Sequence, residues 1–438
     1  MITQVLTRRN LILAKRNVQQ NKGSAGIDRM EVAELNQVLA ISSTRLAQEV
    51  LSGHYRAQPI LGVEIPKANG KKRLLGIPTV TDRLLQQAVL QVIQVQFEVE
   101  FLPNSYGFRP GKSLHQAVQK AQEYIHEGYS HIVDIDLKSF FDEVNHCYLL
   151  ELLYRKIKCR HTLCLIRKWL RAPIQVKGKL VKRRKGIPQG SPLSPLLGNI
   201  MLHELDRELK RQGQRFVRYA DDFSIYAKTK TAARNIGNTV YKFLKDKLKL
   251  PINREKSALR KPVTFRLLGF GFVPTYGKGD RGRYQLVVTE KGWKSFKAKL
   301  KTLTRKTTPM SLAERIARLN EVIRGWVTHY RMANIYAKLQ KVEGWVRNRL
   351  RYCIWHHWKK PERKRKNLIR LGISPDQAYA WSRTRMGGWA VAQSPILNTT
   401  ITVNRLKKRG YLSALELYSK LAPQRNEPLY TRPVRTVV

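Results

Sequence analysis

Three observations predict an α+β fold for this 438-residue chain. Apolar residues alternate with polar ones through residues 131–137 and 215–227, the pattern of half-buried strands. Apolar residues recur at helical spacing through the C-terminal third. Between these regions Gly186-Ile187-Pro188-Gln189-Gly190 forms a Pro- and Gly-rich turn that leads into an apolar helix starting near Ser194.

The first strand places Val133, Ile135 and Leu137 on one face and Asp134 and Asp136 on the other. The second pair of strands meets at Tyr219-Ala220-Asp221-Asp222, an apolar hairpin with two adjacent acids at its tip. Two carboxylates side by side are unfavourable unless neutralised, so the turn is either fully solvated or binds a divalent cation. A site for two ions roughly 4 Å apart needs carboxylates from separate segments, and Asp136 can supply the bridge to Asp221 and Asp222. Asp134 and Asp142 read as caps or strand-end ion pairs. Downstream, Leu312, Ile316, Leu319, Val322, Ile323, Trp326, Val327 and Tyr330 share a helical face, with Arg315, Arg318 and Arg324 on the others. A second helix carries Leu339, Val342, Val346, Leu350 and Ile354. Lys359-Lys360-Pro361-Glu362-Arg363-Lys364-Arg365-Lys366 reads as a solvated basic loop or a nucleic-acid backbone contact.

With 83 basic against 31 acidic residues the formal net charge is +52, and 42% hydrophobic content argues for a globular chain rather than a basic tail. Such an excess repels itself unless a polyanion neutralises it, which makes nucleic acid the expected partner. From Lys291 onward there are 33 Lys or Arg against 7 Asp or Glu, half of the net charge in a third of the chain. Cys147, Cys159, Cys164 and Cys353 form no paired framework. Cys159, His161 and Cys164 are too close in sequence to close a tetrahedral metal site. Reduced thiols, no apolar run of membrane-spanning length and no signal-peptide core suggest a cytoplasmic protein without a membrane partner.

The two acidic segments resemble motifs A and C of reverse transcriptases encoded by bacterial group II introns, in the compact form without an endonuclease module. Other stretches resemble the family in the expected order: residues 21–28 (Asn-Lys-Gly-Ser-Ala-Gly-Ile-Asp), 64–67 with 73–83, 105–111, 186–196, 253–257 and 267–272. Ile323-Arg324-Gly325-Trp326 and His329-Tyr330-Arg331 resemble its maturase domain X.

The resemblance implies a right-hand polymerase with an antiparallel palm sheet and a helical thumb. Its expected parts are an N-terminal extension (1–60), fingers and palm (61–290), thumb or domain X (291–395) and a basic tail that contacts DNA (396–438). It implies Asp136, Asp221 and Asp222 as ligands of two Mg²⁺ ions and Lys256 as general acid at the pyrophosphate leaving group. Lys67 and Arg73 would contact the triphosphate, Gln189 the nucleotide, and Gly190, Tyr219 and Gly269 the primer and template. Phe141 would sit against the sugar and reject a 2′-hydroxyl, or else be core like Phe140. Arg315, Arg318, Arg324, Arg363, Lys364 and Arg365 are the expected RNA contacts. The implied partners are group II intron RNA, an RNA template with a DNA primer, target DNA and deoxynucleoside triphosphates, in a bacterial cytoplasm. Two other readings stand beside this one: a non-catalytic RNA-binding splicing cofactor, and a domesticated reverse transcriptase in repair or antiviral defence.

Overall fold

The structure, a computed structural model, describes residues 1–66, 70, 72–276 and 282–422 and divides the chain into two compact units, Met1–Phe265 and Arg266–Val438. In chain order the strands are β1 (Ile60–Pro66), β2 (Lys72–Ile77), β3 (His131–Ile135), β4 (Ile174–Val176), β5 (Lys179–Val181), β6 (Arg215–Tyr219), β7 (Asp222–Ala227), β8 (Ala258–Arg260), β9 (Arg266–Leu267), β10 (Phe270–Pro274) and β11 (Tyr284–Val288).

The first unit holds two four-stranded sheets, β2-β1-β4-β5 and the fully antiparallel β6-β7-β3-β8. The expected alternation of β3 is present: Ile132, Val133, Ile135 and Leu137 are buried, while Asp134 and Asp136 are half-buried. Helix Ser194–Arg211 begins where the Pro-Gly turn ends, with Pro195 in its first turn, and Leu196, Leu197, Ile200, Met201, Leu205 and Leu209 are buried. They join the main core with Val133, Ile135, Phe216, Phe223 and Ile225. Helix Val80–Glu98 is capped by Thr79, whose hydroxyl accepts from Asp82 N. Asp82 itself is buried and accepts from Tyr55 Oη at 2.6 Å, Trp169 Nε1 at 2.8 Å and Gln58 N at 3.1 Å. One carboxylate thus ties that helix to the 55–58 segment and to helix Arg160–Arg171.

The second unit carries the sheet β11-β10-β9 and a run of helices, including Glu290–Leu303, Leu312–Tyr330 and Tyr336–His357. Trp326 stacks on Phe296 at 4.2 Å between ring centroids and packs against Trp293 at 4.7 Å. Three features differ from the sequence reading. Arg315 is not on a free face: it is fully buried, and its guanidinium donates to the carbonyls of Leu303, Arg305 and Thr308, so it closes the end of the preceding helix and cannot contact RNA. The basic run is not a loop, because Pro361 takes the first-turn position of helix Pro361–Arg370, where its missing N–H costs nothing. The segment expected as a tail is folded through Leu421: Tyr418 Oη donates to Ala333 O at 2.7 Å, and Ser413 and Leu415 donate to buried Glu343.

Candidate active site

β6 and β7 are joined by a two-residue turn, with Tyr219 paired to Asp222 across it. Asp221 lies in the turn and Asp222 opens β7. β7 also pairs antiparallel with β3, Ile135 opposite Phe223 and Asp134 opposite Ser224. One residue further, that register sets Asp136 opposite Asp222, and the period-two alternation puts Asp134, Asp136 and Asp222 on one face. Acids 86 positions apart in sequence therefore meet at one end of the two central strands because these are antiparallel neighbours in this register.

The electrostatics agree with that placement. Burial, then the charges of Asp221, Asp136 and Asp134, push the Asp222 carboxyl up to about 6, with Lys256 opposing the rise. Asp222 retains accessible surface, so water screens part of this repulsion. Lys256 Nζ lies 3.2 Å from Asp136 Oδ2 and is largely exposed. Asp134 is engaged elsewhere, by Arg260 Nε at 2.6 Å, as its strand-end reading anticipated. Among the described residues, no three His, Cys, Asp or Glu side chains are gathered closely enough to hold an ion as they stand. Mutual repulsion holds carboxylates apart when only a lysine neutralises them. The donor set is hard oxygen with a surplus of negative charge, which fits a divalent cation such as magnesium.

Two braces position these acids, a role the sequence did not assign to any of their residues. Arg218, fully buried, donates from Nε and Nη2 to Asp206, from Nη1 to Asn199 Oδ1 at 2.8 Å, and from Nη1 to Ala220 O at 3.0 Å. Ala220 has φ +56°, a left-handed conformation that a non-glycine residue adopts only when held. Gly107 packs against that turn so tightly that a Cβ there would collide with Ala220 N, and Asn199 Nδ2 donates to Gly107 O at 2.9 Å. The second brace is the 251–257 segment. Asn253 N donates to Asp136 O at 2.8 Å, Asp136 N donates to Ser257 Oγ at 3.0 Å, and Lys138 N donates to Pro251 O at 2.8 Å. Arg218 shares the period-two face of Phe216, and a charged residue at that core position is the signal that could have disclosed the first brace. The second falls in the 253–257 stretch noted by resemblance, but nothing in that stretch points to Asp136.

Among the other expected residues, Arg73 on β2 donates from Nε to Gln189 Oε1, and Gly76 N donates to Gln189 O at 2.8 Å, so the two expected nucleotide contacts touch. Gly190 has φ +128°, and a Cβ there would strike Gly76 O. Lys67 lies outside the described residues; Lys72 pairs with Glu64 at 2.6 Å. Phe140 is core, whereas Phe141 is half-buried, edge-on to it at 5.1 Å. Gly269 belongs to the second unit, where φ +88° and Tyr330 Oη, 2.5 Å from where a Cβ would sit, require glycine for packing on helix Leu312–Tyr330. There too, Arg318 pairs with Glu314 at 2.7 Å, Arg324 and Arg363 are exposed, Lys364 Nζ lies 4.4 Å over the Trp355 ring, and Arg365 lies 4.0 Å from Glu362.

Residues 65–272 match the family model described as reverse transcriptase (RNA-dependent DNA polymerase), and residues 293–372 match that of the group II intron maturase-specific domain. The chain is 32% identical to Protein YkfC of Escherichia coli over 286 residues, covering 56% of this chain and 75% of that protein. It is 39% identical over 175 residues to the group II intron-encoded protein LtrA of Lactococcus lactis, 40% of this chain but only 29% of LtrA. Retron Mx65 reverse transcriptase of Myxococcus xanthus is 29% identical over 51% of this chain and 53% of its own length. No described helix is long and apolar enough to cross a membrane.

Proposed function

This chain belongs to the bacterial-type group II intron-encoded reverse transcriptases and maturases, an RNA-directed DNA polymerase family, and from that premise we propose how its own residues divide the work. The chain copies RNA into DNA by adding deoxynucleotides to a primer. Asp136, Asp221 and Asp222 hold two magnesium ions, which, when bound, neutralise charge on the triphosphate and on the transferred phosphorus. Lys256, released from Asp136, donates a proton from Nζ to the departing pyrophosphate oxygen. Arg73, turned by Gln189, faces the triphosphate, with Lys67 as its expected companion. The half-buried ring of Phe141 blocks a 2′-hydroxyl, and Gly190, packed against Gly76 of β2, contacts the template. Residues 1–60 form the N-terminal extension, 61–290 the fingers and palm, 291–395 the thumb, and 396–438 a basic segment that contacts DNA. Through Arg318, Arg324, Arg363, Lys364 and Arg365 the second part of the chain binds the parent intron RNA to assist its splicing and mobility, in a bacterial cytoplasm.

One observation carries the catalytic reading: the β3–β7 register that sets Asp136 opposite Asp222, beside Asp221. The test is primer extension by the purified chain on oligo(dT)-primed poly(rA) with dTTP and magnesium. Extension that stops on chelation supports the reading. A chain that binds RNA but never extends a primer would favour the splicing cofactor instead.

A further inference from the structure

Helix His146–Lys156 begins on a histidine that the proposed chemistry does not use. His146 is buried, and its Nε2 lies 2.7 Å from Gly186 O. A carbonyl oxygen only accepts, so Nε2 carries the proton and donates it, and Nδ1, buried without a hydrogen-bond partner, is the bare nitrogen. Burial holds the imidazole below its ordinary pKa; the bond to Gly186 opposes that drop, and the charges of Arg183 and Arg171 add to it. The ring is therefore a neutral donor in one tautomer. Such a group suits holding a backbone in place.

What it holds is the peptide unit between Gly186 and Ile187. His146 takes the carbonyl of that unit, while its N–H donates to Phe141 O at 2.6 Å. Gly186 N donates in turn to Val144 O at 2.7 Å, Asn145 bridges antiparallel to Lys185, and Lys185 Nζ pairs with Glu143 at 2.7 Å. Of the bonds that close residues 141–146 on 185–187, the one to Gly186 O comes from a buried side chain and can be removed by substitution. Gly186 stands at φ +86°, and a Cβ there would come 2.8 Å from Asp142 O, so no side chain of its own restrains the plane. A peptide unit is rigid, with C=O and N–H pointing opposite ways, so releasing the carbonyl lets the plane turn and slackens the bond to Phe141 O. One pole of this plane thus reaches the residue proposed to exclude a 2′-hydroxyl. Two residues beyond Ile187 stands Gln189, the proposed nucleotide contact.

We infer that His146 is a positioning residue for sugar discrimination: it locks the Gly186–Ile187 plane and so sets the spacing between Phe141 and the Gln189-Gly190 turn within which the nucleotide sugar must fit. This rests on the reading of Phe141 as the sugar contact. His146 is buried and touches no substrate; its effect passes through the backbone. A slackened plane widens the spacing, so a ribose is better tolerated and a deoxyribose is held less firmly.

The test uses the full-length chain and measures kcat and KM for insertion of dUTP and of UTP, which differ only in the 2′-hydroxyl, on oligo(dT)-primed poly(rA). His146→Phe keeps a ring and removes the donor; His146→Gln returns an amide N–H to the Nε2 position. The phenylalanine variant is expected to raise KM for dUTP with a smaller change in kcat, and to raise the UTP-to-dUTP ratio of kcat/KM by roughly three- to tenfold, the share of a single hydrogen bond. The glutamine variant is expected to restore the unmutated ratio. Where the phenylalanine variant does not fold, His146→Asn, whose amide falls short of Gly186 O, takes its place. An unmoved ratio overturns the inference, and so does an equal rise with and without the donor, which would point to ring packing instead of the bond. Phe141→Ala, run alongside, keeps the two readings apart. A ratio that rises there but not in His146→Phe removes only the role of His146, whereas a ratio unmoved in Phe141→Ala removes the sugar contact and the inference with it.

Discussion

Arg218 and Asp206 form an ion pair of 2.6 Å in which both side chains are wholly removed from solvent. Arg218 spends its remaining donors on Asn199 and on the carbonyl of Ala220, the residue in the left-handed conformation immediately before the two acids. The pair therefore sets the turn that presents Asp221 and Asp222. Removing one partner of a buried ion pair strands the other charge, so Asp206→Ala is expected to cost about 3–5 kcal/mol. Asn199→Ala leaves the ion pair and the Arg218–Ala220 bond in place and removes the bond to Gly107, which packs on the turn. It should cost about 1–3 kcal/mol, less than Asp206→Ala, and raise the magnesium concentration needed for half-maximal primer extension. An unaltered magnesium dependence in Asn199→Ala would reduce the network to a structural role.

The raised carboxyl of Asp222 makes stability depend on pH in a defined direction. Its folded value of about 6 exceeds the unfolded value of about 3.9, so its contribution is intact below about pH 4 and is lost as pH rises through 6. Without metal, Asp222→Asn should therefore raise the melting temperature at about pH 8 and not at about pH 4. Magnesium should raise the melting temperature of the unmutated chain at the higher pH and do less for the variant. Scanning calorimetry with and without chelator reads both, and equal gains at the two pH values would argue against charge crowding.

Arg315 provides a contrast between a structural and an RNA-contacting arginine. It is buried and closes three carbonyls at the end of helix Glu290–Leu303. Arg315→Ala should cost about 3 kcal/mol or more by chemical denaturation. Arg324→Ala, at an exposed position, should leave stability alone and lower the salt slope of RNA binding by about 1. The reverse pattern would return Arg315 to the RNA surface.

Phe141 is half-buried beside fully buried Phe140, which leaves part of its ring free to contact a sugar. Phe141→Ala should raise the ratio of ribonucleotide to deoxynucleotide incorporation by roughly tenfold or more. A ratio that does not move, with extension intact, would make it a packing residue.

What could be read from the sequence follows from where the information is local. Alternation in residues 131–137 located β3 and its acids, and helical spacing located Leu312–Tyr330 and Tyr336–His357, because burial on one face writes a period into the chain. The same period could not tell that Arg315, off the apolar stripe, turns back over the preceding helix, since long side chains reach beyond the face they start from. The run at 359–366 reads as a loop because it holds a proline, although proline breaks a helix only from inside it and starts one at its first turn. Gly269 is expected only as a primer contact, whereas its crowding by Tyr330 depends on a helix 61 residues away. The Arg218–Asp206–Asn199 brace and the grip of Ser257 on Asp136 are tertiary contacts without any sequence period.

The catalytic account stands on Asp136, Asp221 and Asp222 acting together at one end of the β7–β3 pair. Its most direct test is magnesium-dependent extension of oligo(dT) on poly(rA) by an Asp221→Ala, Asp222→Ala double variant shown by calorimetry to remain folded. The predicted result is loss of extension by a factor of about 10³ or more with RNA binding retained. Extension at the unmutated rate by the folded double variant would contradict the account.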